Sequence, residues 1–193
     1  MNVLNYREPF WHTIIENYYT PEEETLIWQE IEFLSVGDKL LAPELTGDPR
    51  AENKTGCILK DVYKDLNFSS INKINQKLIT QEVIGLLQRN PYSKYLTIDS
   101  VNIVSQIQYY LNDGKYNQHQ DSSTLSAVCL FYKQPKRFTG GEFMFGDYRV
   151  PLKHNTLILF PSCEWHKVEP VKVSEEDILD GFSRYSICQF ISI

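Results

Sequence analysis

From residue 97 to the end, the chain breaks into short apolar segments set close together and punctuated by Asn112-Asp113-Gly114, Thr139-Gly140-Gly141 and Gly146-Asp147. That rhythm belongs to a β-sandwich or barrel. In the segment 101–111 the odd positions Val101, Ile103, Ile107, Tyr109 and Leu111 are apolar apart from Ser105, whereas the even positions Asn102, Gln106, Gln108 and Tyr110 are mainly polar. Side chains alternate across a strand, so one face of this segment packs and the other meets something wet. Segments 126–132, 142–145, 156–160 and 184–191 bring the count to at least five strands, enough for a small double-sheet jelly roll.

The first half has a different texture, changing near residue 98. Thr20-Pro21-Glu22-Glu23-Glu24 offers an N-cap, a proline at the first helical position and acids at the positive end of a helix dipole. Leu26, Ile27, Ile31 and Leu34 continue at helical spacing. A second helix is expected from Ser69 or Ser70 to about Gln88, with Ile71, Ile74, Leu78, Ile79, Val83, Leu86 and Leu87 on one stripe. Residues 37–60, with glycines, prolines and no clear period, read as a long loop. At 193 residues the chain fits one domain. The expected fold is therefore α+β but mainly β: a helical support region over 1–96, packed on one outer face of a catalytic β core over 97–193.

Function classes narrow from the same text. The longest apolar run, Ala127 to Tyr132, is six residues, far short of the ~18 that suggest a membrane span. The opening residues Met1 to Pro9 lack a basic start and an apolar stretch, which predicts no secretory signal and a cytoplasmic chain. A net charge of −6 disfavours a polyanionic partner. Cys57, Cys129, Cys163 and Cys188 form no C-x-x-C pair and read as reduced thiols.

The chemistry concentrates in three places. His119-Gln120-Asp121 follows the turn expected to end the first of these strands, and in extended chain His119 and Asp121 point the same way. His166 stands after the buried strand Thr156 to Pro161 and offers a second imidazole. Two histidines and a carboxylate on one face, with other coordination positions open, suit non-haem Fe(II); zinc hydrolases use the same ligand types. Arg184 and Ser186 alternate on one face of the last strand, where a guanidinium with a neighbouring hydroxyl clamps a carboxylate.

Taken in order, Gln106-Ile107-Gln108-Tyr109-Tyr110, Gly114 to Asp121, Phe138-Thr139-Gly140-Gly141-Glu142-Phe143, Leu159-Phe160-Pro161-Ser162, His166 to Val171 and Arg184-Tyr185-Ser186 resemble the 2-oxoglutarate/Fe(II)-dependent oxygenases, specifically their prolyl 4-hydroxylase-like branch. The resemblance spans about residues 97–193. It implies a double-stranded β-helix of the cupin-like jelly-roll kind, with Fe(II) held by His119, Asp121 and His166. It also implies the co-substrates 2-oxoglutarate and dioxygen, ascorbate as an accompanying reductant, and release of succinate and carbon dioxide. Arg184 and Ser186 would hold the far carboxylate of 2-oxoglutarate, with Tyr110 adding a phenolic hydrogen bond. The implied substrate is a prolyl residue in a peptide or protein. Collagen-type members carry a lysine where this chain has Arg184, and the stretch between His166 and Arg184 is longer than usual, with Ser174-Glu175-Glu176-Asp177 resembling an inserted capped turn or short helix.

Rival readings stay beside this one. An oxidative demethylase of nucleic acid would share the fold, but the charge and the absence of a second arginine shortly after Arg184 count against it. A free-amino-acid hydroxylase would need charged clamps for both substrate termini, and no such pair stands out. A metal-binding jelly roll without catalysis is the third. Among single residues, His12 and His154 read as structural; Arg184 has an alternative partner in the acids of 175–180; Tyr116 is as good a strand aromatic as a site residue; Lys133, Lys136 and Arg137 read as a solvated connection; and Trp165 either walls the site or packs the core.

Overall fold

The computed structural model describes residues 1–87, 90–97 and 101–193. The strands are β1 (Asn2–Tyr6), β2 (His12–Glu16), β3 (Ala51–Ile58), β4 (Asn102–His119), β5 (Leu125–Phe131), β6 (Thr139–Gly140), β7 (Phe143–Phe145), β8 (Tyr148–Arg149), β9 (Thr156–Pro161), β10 (His166–Val168), β11 (Val171–Lys172) and β12 (Tyr185–Ser192). Helices are α1 (Pro21–Leu34), α2 (Leu59–Val62), α3 (Ser70–Asn75), α4 (Gln81–Leu86) and α5 (Glu175–Leu179). Ten strands form one curled, antiparallel half-barrel in the order β1-β2-β9-β5-β12-β4-β10-β7-β8, with β3 also on β4, and β6 pairs with β11 in a second small sheet. This is the jelly roll that the sequence predicts, with its helices on one outer face.

The period-two pattern sorts two cores. Ile15, Ile107, Tyr109, Ala127, Cys129, Leu157, Leu159 and Ile187 face outward, against Ile27, Ile31 and Leu34 of α1 and Ile71, Leu78 and Val83 from the later helices. Their immediate neighbours Ile14, Tyr110, Val128, Ile158, Phe160 and Cys188 face into the barrel with Phe143, Phe145 and Val168. The α1 start is a full capping box: Thr20 accepts from the Glu23 amide at 3.2 Å, and the Glu23 carboxylate accepts from the Thr20 amide at 2.9 Å.

Several expectations need correction. The first half is not only helical, because β1 and β2 extend the sheet through β9 and β3 lies within the segment 37–60 that the sequence leaves as loop. The second helix is broken: Gln76–Ile79 tightens to a 3-10 turn, and Thr80 takes an extended conformation. Its hydroxyl then caps α4 by accepting from the Val83 amide, so a local side-chain bond displaces the helical one. The expected end of that helix, Gln88, and the change of texture near residue 98 lie outside the described residues. Asn112-Asp113-Gly114 does not end a strand either, since β4 runs through it to His119 with Asp113 at φ 60°. A Cβ at Gly114 would collide with the Asn53 and Leu111 carbonyl oxygens, so only glycine lets the two strands pass. The bend carries β4 from its pairing with β12 to its pairing with β10.

Candidate metal centre and acid pocket

That bend puts the two histidines side by side, with His119 at the end of β4 directly across the antiparallel pair from His166 in β10. Asp121 follows the end of β4, where its amide donates to the Ser162 carbonyl at 2.9 Å. Its carboxylate lies 3.4 Å from His119 Nε2 and 3.5 Å from His166 Nε2, and the three ligand atoms all fall within 4.8 Å of one another. Both rings are oriented from behind. His119 Nδ1 donates to the Asn117 carbonyl at 2.8 Å and His166 Nδ1 to the Glu164 carbonyl at 2.9 Å, which leaves each Nε2 with its lone pair toward the common point. Phe143 stacks on His166 and Phe160 meets it edge-on.

The electrostatics suit a cation. Burial pushes the His166 imidazole down to about 4, against the opposing pull of Asp121, so it is neutral at physiological pH. Burial alone would raise the Asp121 carboxyl, but the adjacent His119 ring, the nearby His166 and the hydrogen bond from Ser126 hold it below its ordinary value. Two imidazoles and one carboxylate are the donor set that Fe(II) takes with positions to spare.

On the same barrel interior, Arg184 is fully buried just before β12. Its Nε donates to the Gly141 carbonyl at 3.0 Å, its Nη1 donates to Ser186 Oγ at 2.5 Å, and its guanidinium lies 4.6 Å over the Tyr110 ring. A Cβ at Gly141, where φ is +71°, would stand 2.8 Å from Arg184 Cδ, so the glycine makes room for this side chain. No ion pair among the described residues includes Arg184, and its Nη2 is buried with no partner. The acids of 175–180 do not supply one: Asp177, in the short capped helix α5, pairs instead with Arg137 at 3.1 Å. A buried guanidinium with one unsatisfied arm fits a carboxylate brought by a ligand, because an unpaired interior charge is costly. The Tyr110 hydroxyl donates to Gln108 Oε1 at 3.1 Å and lies within hydrogen-bonding reach of the Arg184 and Ser186 side chains. A cavity of about 20 Å³ joins Gln108, Tyr110 and Ser186 to His119, Asp121 and His166, while Arg184 lines a separate cleft of about 260 Å³ with Gly141, Lys136 and Arg149.

A wider cleft of about 390 Å³ opens on the other side of His119 and Asp121, walled by Thr46 to Arg50, Tyr116, Gln106 and Phe190. Tyr116 sits in the site, its ring stacked on His119 with centroids 3.7 Å apart. Trp165 is half exposed, outside the barrel core. His12 and His154 are structural: His12 is packed among Tyr6, Phe10, Phe145 and Tyr148, and His154 bridges Tyr132 to Glu24.

The sequence reading missed a buried polar cluster beside the trio. Asp48 accepts from Lys54 Nζ at 2.5 Å, Gln106 Nε2 at 2.8 Å and the Tyr116 hydroxyl at 2.9 Å. The irregular pairing at Glu52 to Lys54, with Asn53 at φ 47°, accompanies the burial of Lys54. The signal was present in the polar even face of β4. Glutamines on a strand that is covered on both sides require hydrogen-bond partners, and those had to come from a segment outside the strands already assigned.

Residues 105–192 match the family model of the 2OG-Fe(II) oxygenase superfamily. A PKHD-type hydroxylase of Xylella fastidiosa is 24% identical over 157 residues, covering 71% of this chain and 66% of the relative. Matches to curated relatives cover between 34% and 66% of those proteins' own length. The fold resembles a viral collagen prolyl hydroxylase from Paramecium bursaria chlorella virus 1 solved with 2OG (TM-score 0.58, 16% identity, 94% of this chain and 96% of that one). It also resembles a Pseudomonas putida prolyl-4-hydroxylase (TM-score 0.62, 15% identity, 94% and 91%).

Proposed function

We propose that this chain is a 2-oxoglutarate- and Fe(II)-dependent dioxygenase that hydroxylates a C–H bond of a prolyl residue in a peptide or protein, releasing succinate and carbon dioxide. The observation that carries the reading is the closeness of two clusters inside the barrel: His119, Asp121 and His166 share one cavity with Ser186, whose hydroxyl accepts from Arg184, and Arg184 keeps a buried Nη2 without a protein partner. A metal-chelating diacid would engage both.

In this reading His119 and His166 hold the metal through Nε2 and Asp121 through its carboxylate, while Arg184 and Ser186 fix the far carboxylate of 2-oxoglutarate. The Tyr110 hydroxyl, beside Arg184 and Ser186, joins them as a further donor. Bound Fe(II) and 2-oxoglutarate supply the activation of dioxygen. The chain's part is to keep the pocket dry with Phe143, Phe160 and Val168, and to open one side toward the cleft. There Phe190 offers flat apolar surface to a pyrrolidine ring with the edge of Tyr116 beside it, and Arg50 is the one cation among the residues lining the cleft, alongside Asp48 and Asp121. That balance favours a peptide over a phosphate backbone. Four free thiols fit a reducing compartment such as the cytoplasm, and residues 1–193 read as one domain because the outward core joins α1 and β2 to β5, β9 and β12.

The test is incubation with Fe(II), 2-oxoglutarate, ascorbate and a library of proline-containing peptides, following succinate and the mass of each peptide. One added oxygen on proline is expected. Turnover on methylated DNA or a free amino acid, with every peptide unchanged, overturns the substrate assignment. Absence of succinate with all three classes overturns the activity.

A further inference from the structure

Asp48 is the most heavily engaged acid in the barrel, and the proposed chemistry does not use it. Besides Lys54, Gln106 and Tyr116, it accepts at longer reach from Gln108 Nε2 and Thr46 Oγ1, both at 3.4 Å. Its cationic partner Lys54 has no solvent-exposed side-chain surface, and burial lowers the Lys54 ammonium from its ordinary value even though Asp48 opposes this. A buried ion pair is a poor means of gaining stability, since desolvating both charges costs about as much as their attraction returns, and apolar side chains would fill the space equally well. Specific orientation is what such a pair does supply.

What it orients is visible in its two branches. One branch runs from Asp48 to the Tyr116 hydroxyl, and the Tyr116 ring lies within 15° of parallel on the face of His119. The Lys54 ammonium sits 4.6 Å over the same Tyr116 ring. The second branch runs through Gln108 to Tyr110 beneath Arg184. Asp48 itself belongs to the Thr46 to Arg50 wall of the cleft. One carboxylate therefore ties the cleft wall to the aromatic face that holds a metal-ligating imidazole. The Asn117 carbonyl fixes the His119 ring at Nδ1 only, and its remaining freedom is rotation about that contact, which the stacked Tyr116 blocks.

We propose that Asp48 is a positioning residue that, through Tyr116, fixes the ring plane of His119 for metal binding. The proposal rests on the reading of His119, Asp121 and His166 as a metal centre. Tyr116 is the transmitting element, and Lys54 holds Asp48 in place.

The experiment is a titration of the metal-free protein with Co(II) alone, read by its visible absorption. Two variants are compared with the unsubstituted protein. Tyr116→Phe keeps the ring and loses the bond to Asp48; the double variant Asp48→Asn with Lys54→Met removes both charges without leaving either unpaired. Both are expected to bind Co(II) about tenfold more weakly, the lower end of what loss of a ligand-orienting partner costs, with an altered band shape. Wild-type Co(II) affinity and band shape in Tyr116→Phe overturn the proposal, and that variant decides the matter alone if the double variant does not fold. A double variant that melts lower yet binds Co(II) unchanged also overturns it, reducing Asp48 to a packing contact. Failure of the unsubstituted protein to bind Co(II) breaks the metal-centre reading instead, so the two failures are told apart.

Discussion

The two faces of β4 and β12 are a residue apart in sequence and opposite in chemistry. Outward, Ile107, Tyr109, Ile187 and Ile191 meet helices in a core with few polar atoms. Inward, Gln106, Gln108, Tyr110, Ser186 and the flanking Arg184 crowd polar and charged groups into a space just as dry. The outer face contributes stability through burial of apolar area. The inner face gives some of it up: Arg184 keeps an unpartnered Nη2, and Lys54 and Asp48 are desolvated together. The difference separates what holds this fold together from what it is folded to do, and substitutions on the two faces should separate the same way.

The largest expected effect is at the inner face. Asp121→Ala removes the one carboxylate of the trio, so succinate release should fall below detection and Co(II) binding should be lost, while the far-ultraviolet circular dichroism spectrum stays that of the unsubstituted protein. An unfolded Asp121→Ala, or one that still turns over, would blur the division between the faces. The outer-face counterpart is Ile107→Ala. Ile107 is fully packed under the helices, and truncation of such a side chain costs roughly 2–5 kcal/mol, read as a lower urea midpoint with Co(II) affinity unchanged.

How much of each face was legible follows from the same contrast. Apolar alternation in 101–111 and continuous apolar runs in 126–132 and 156–160 mark strands, as does the segment 184–191, and β4, β5, β9 and β12 lie there. The trio was legible because its spacing in sequence carries its geometry. β3 was not. Ala51-Glu52-Asn53-Lys54 reads as loop, because its lysine is buried against an acid rather than among apolar groups. β2 was missed because His12-Thr13-Ile14-Ile15, although buried on both faces, carries only two consecutive apolar residues, unlike the long apolar runs of β5 and β9. Very short strands such as β8, β10 and β11 have no period to read at all, and partner strands hold them in place.

Arg184 sharpens the comparison, because one substitution should move stability and binding in opposite directions. Arg184→Met removes a buried, partly unsatisfied charge and should raise the melting temperature of the ligand-free protein. The same change should weaken 2-oxoglutarate binding by about one to two decades, corresponding to the ~1.5–3 kcal/mol of a charge-assisted hydrogen bond. Arg184→Lys should recover part of the affinity, since the ammonium keeps the charge and loses the fork. Calorimetric titration and a thermal melt of the same samples check both. Equal 2-oxoglutarate affinity in all three proteins would detach Arg184 from the co-substrate.

The smallest effect concerns a polar group on the inner face that serves no chemistry. His12 is fully buried beside Phe145, with Nδ1 donating to the Phe10 carbonyl at 3.0 Å and Nε2 unpartnered. Burial lowers its imidazole below the ordinary value of 6.5, the Phe10 bond opposing, so the folded protein keeps it neutral where the unfolded chain takes up a proton. Stability from this group is therefore intact above the unfolded value and is lost as pH falls from about 6.5 toward the lower folded value, with a slope of at most one proton. His12→Phe, which keeps an aromatic ring among Tyr6, Phe145 and Tyr148, should remove that share of the acid loss. The measurement is the difference between the urea stabilities of the two proteins from pH 7.5 to pH 5. It should grow in favour of the variant as the pH falls, and parallel curves would mean that His12 has the same proton affinity folded and unfolded.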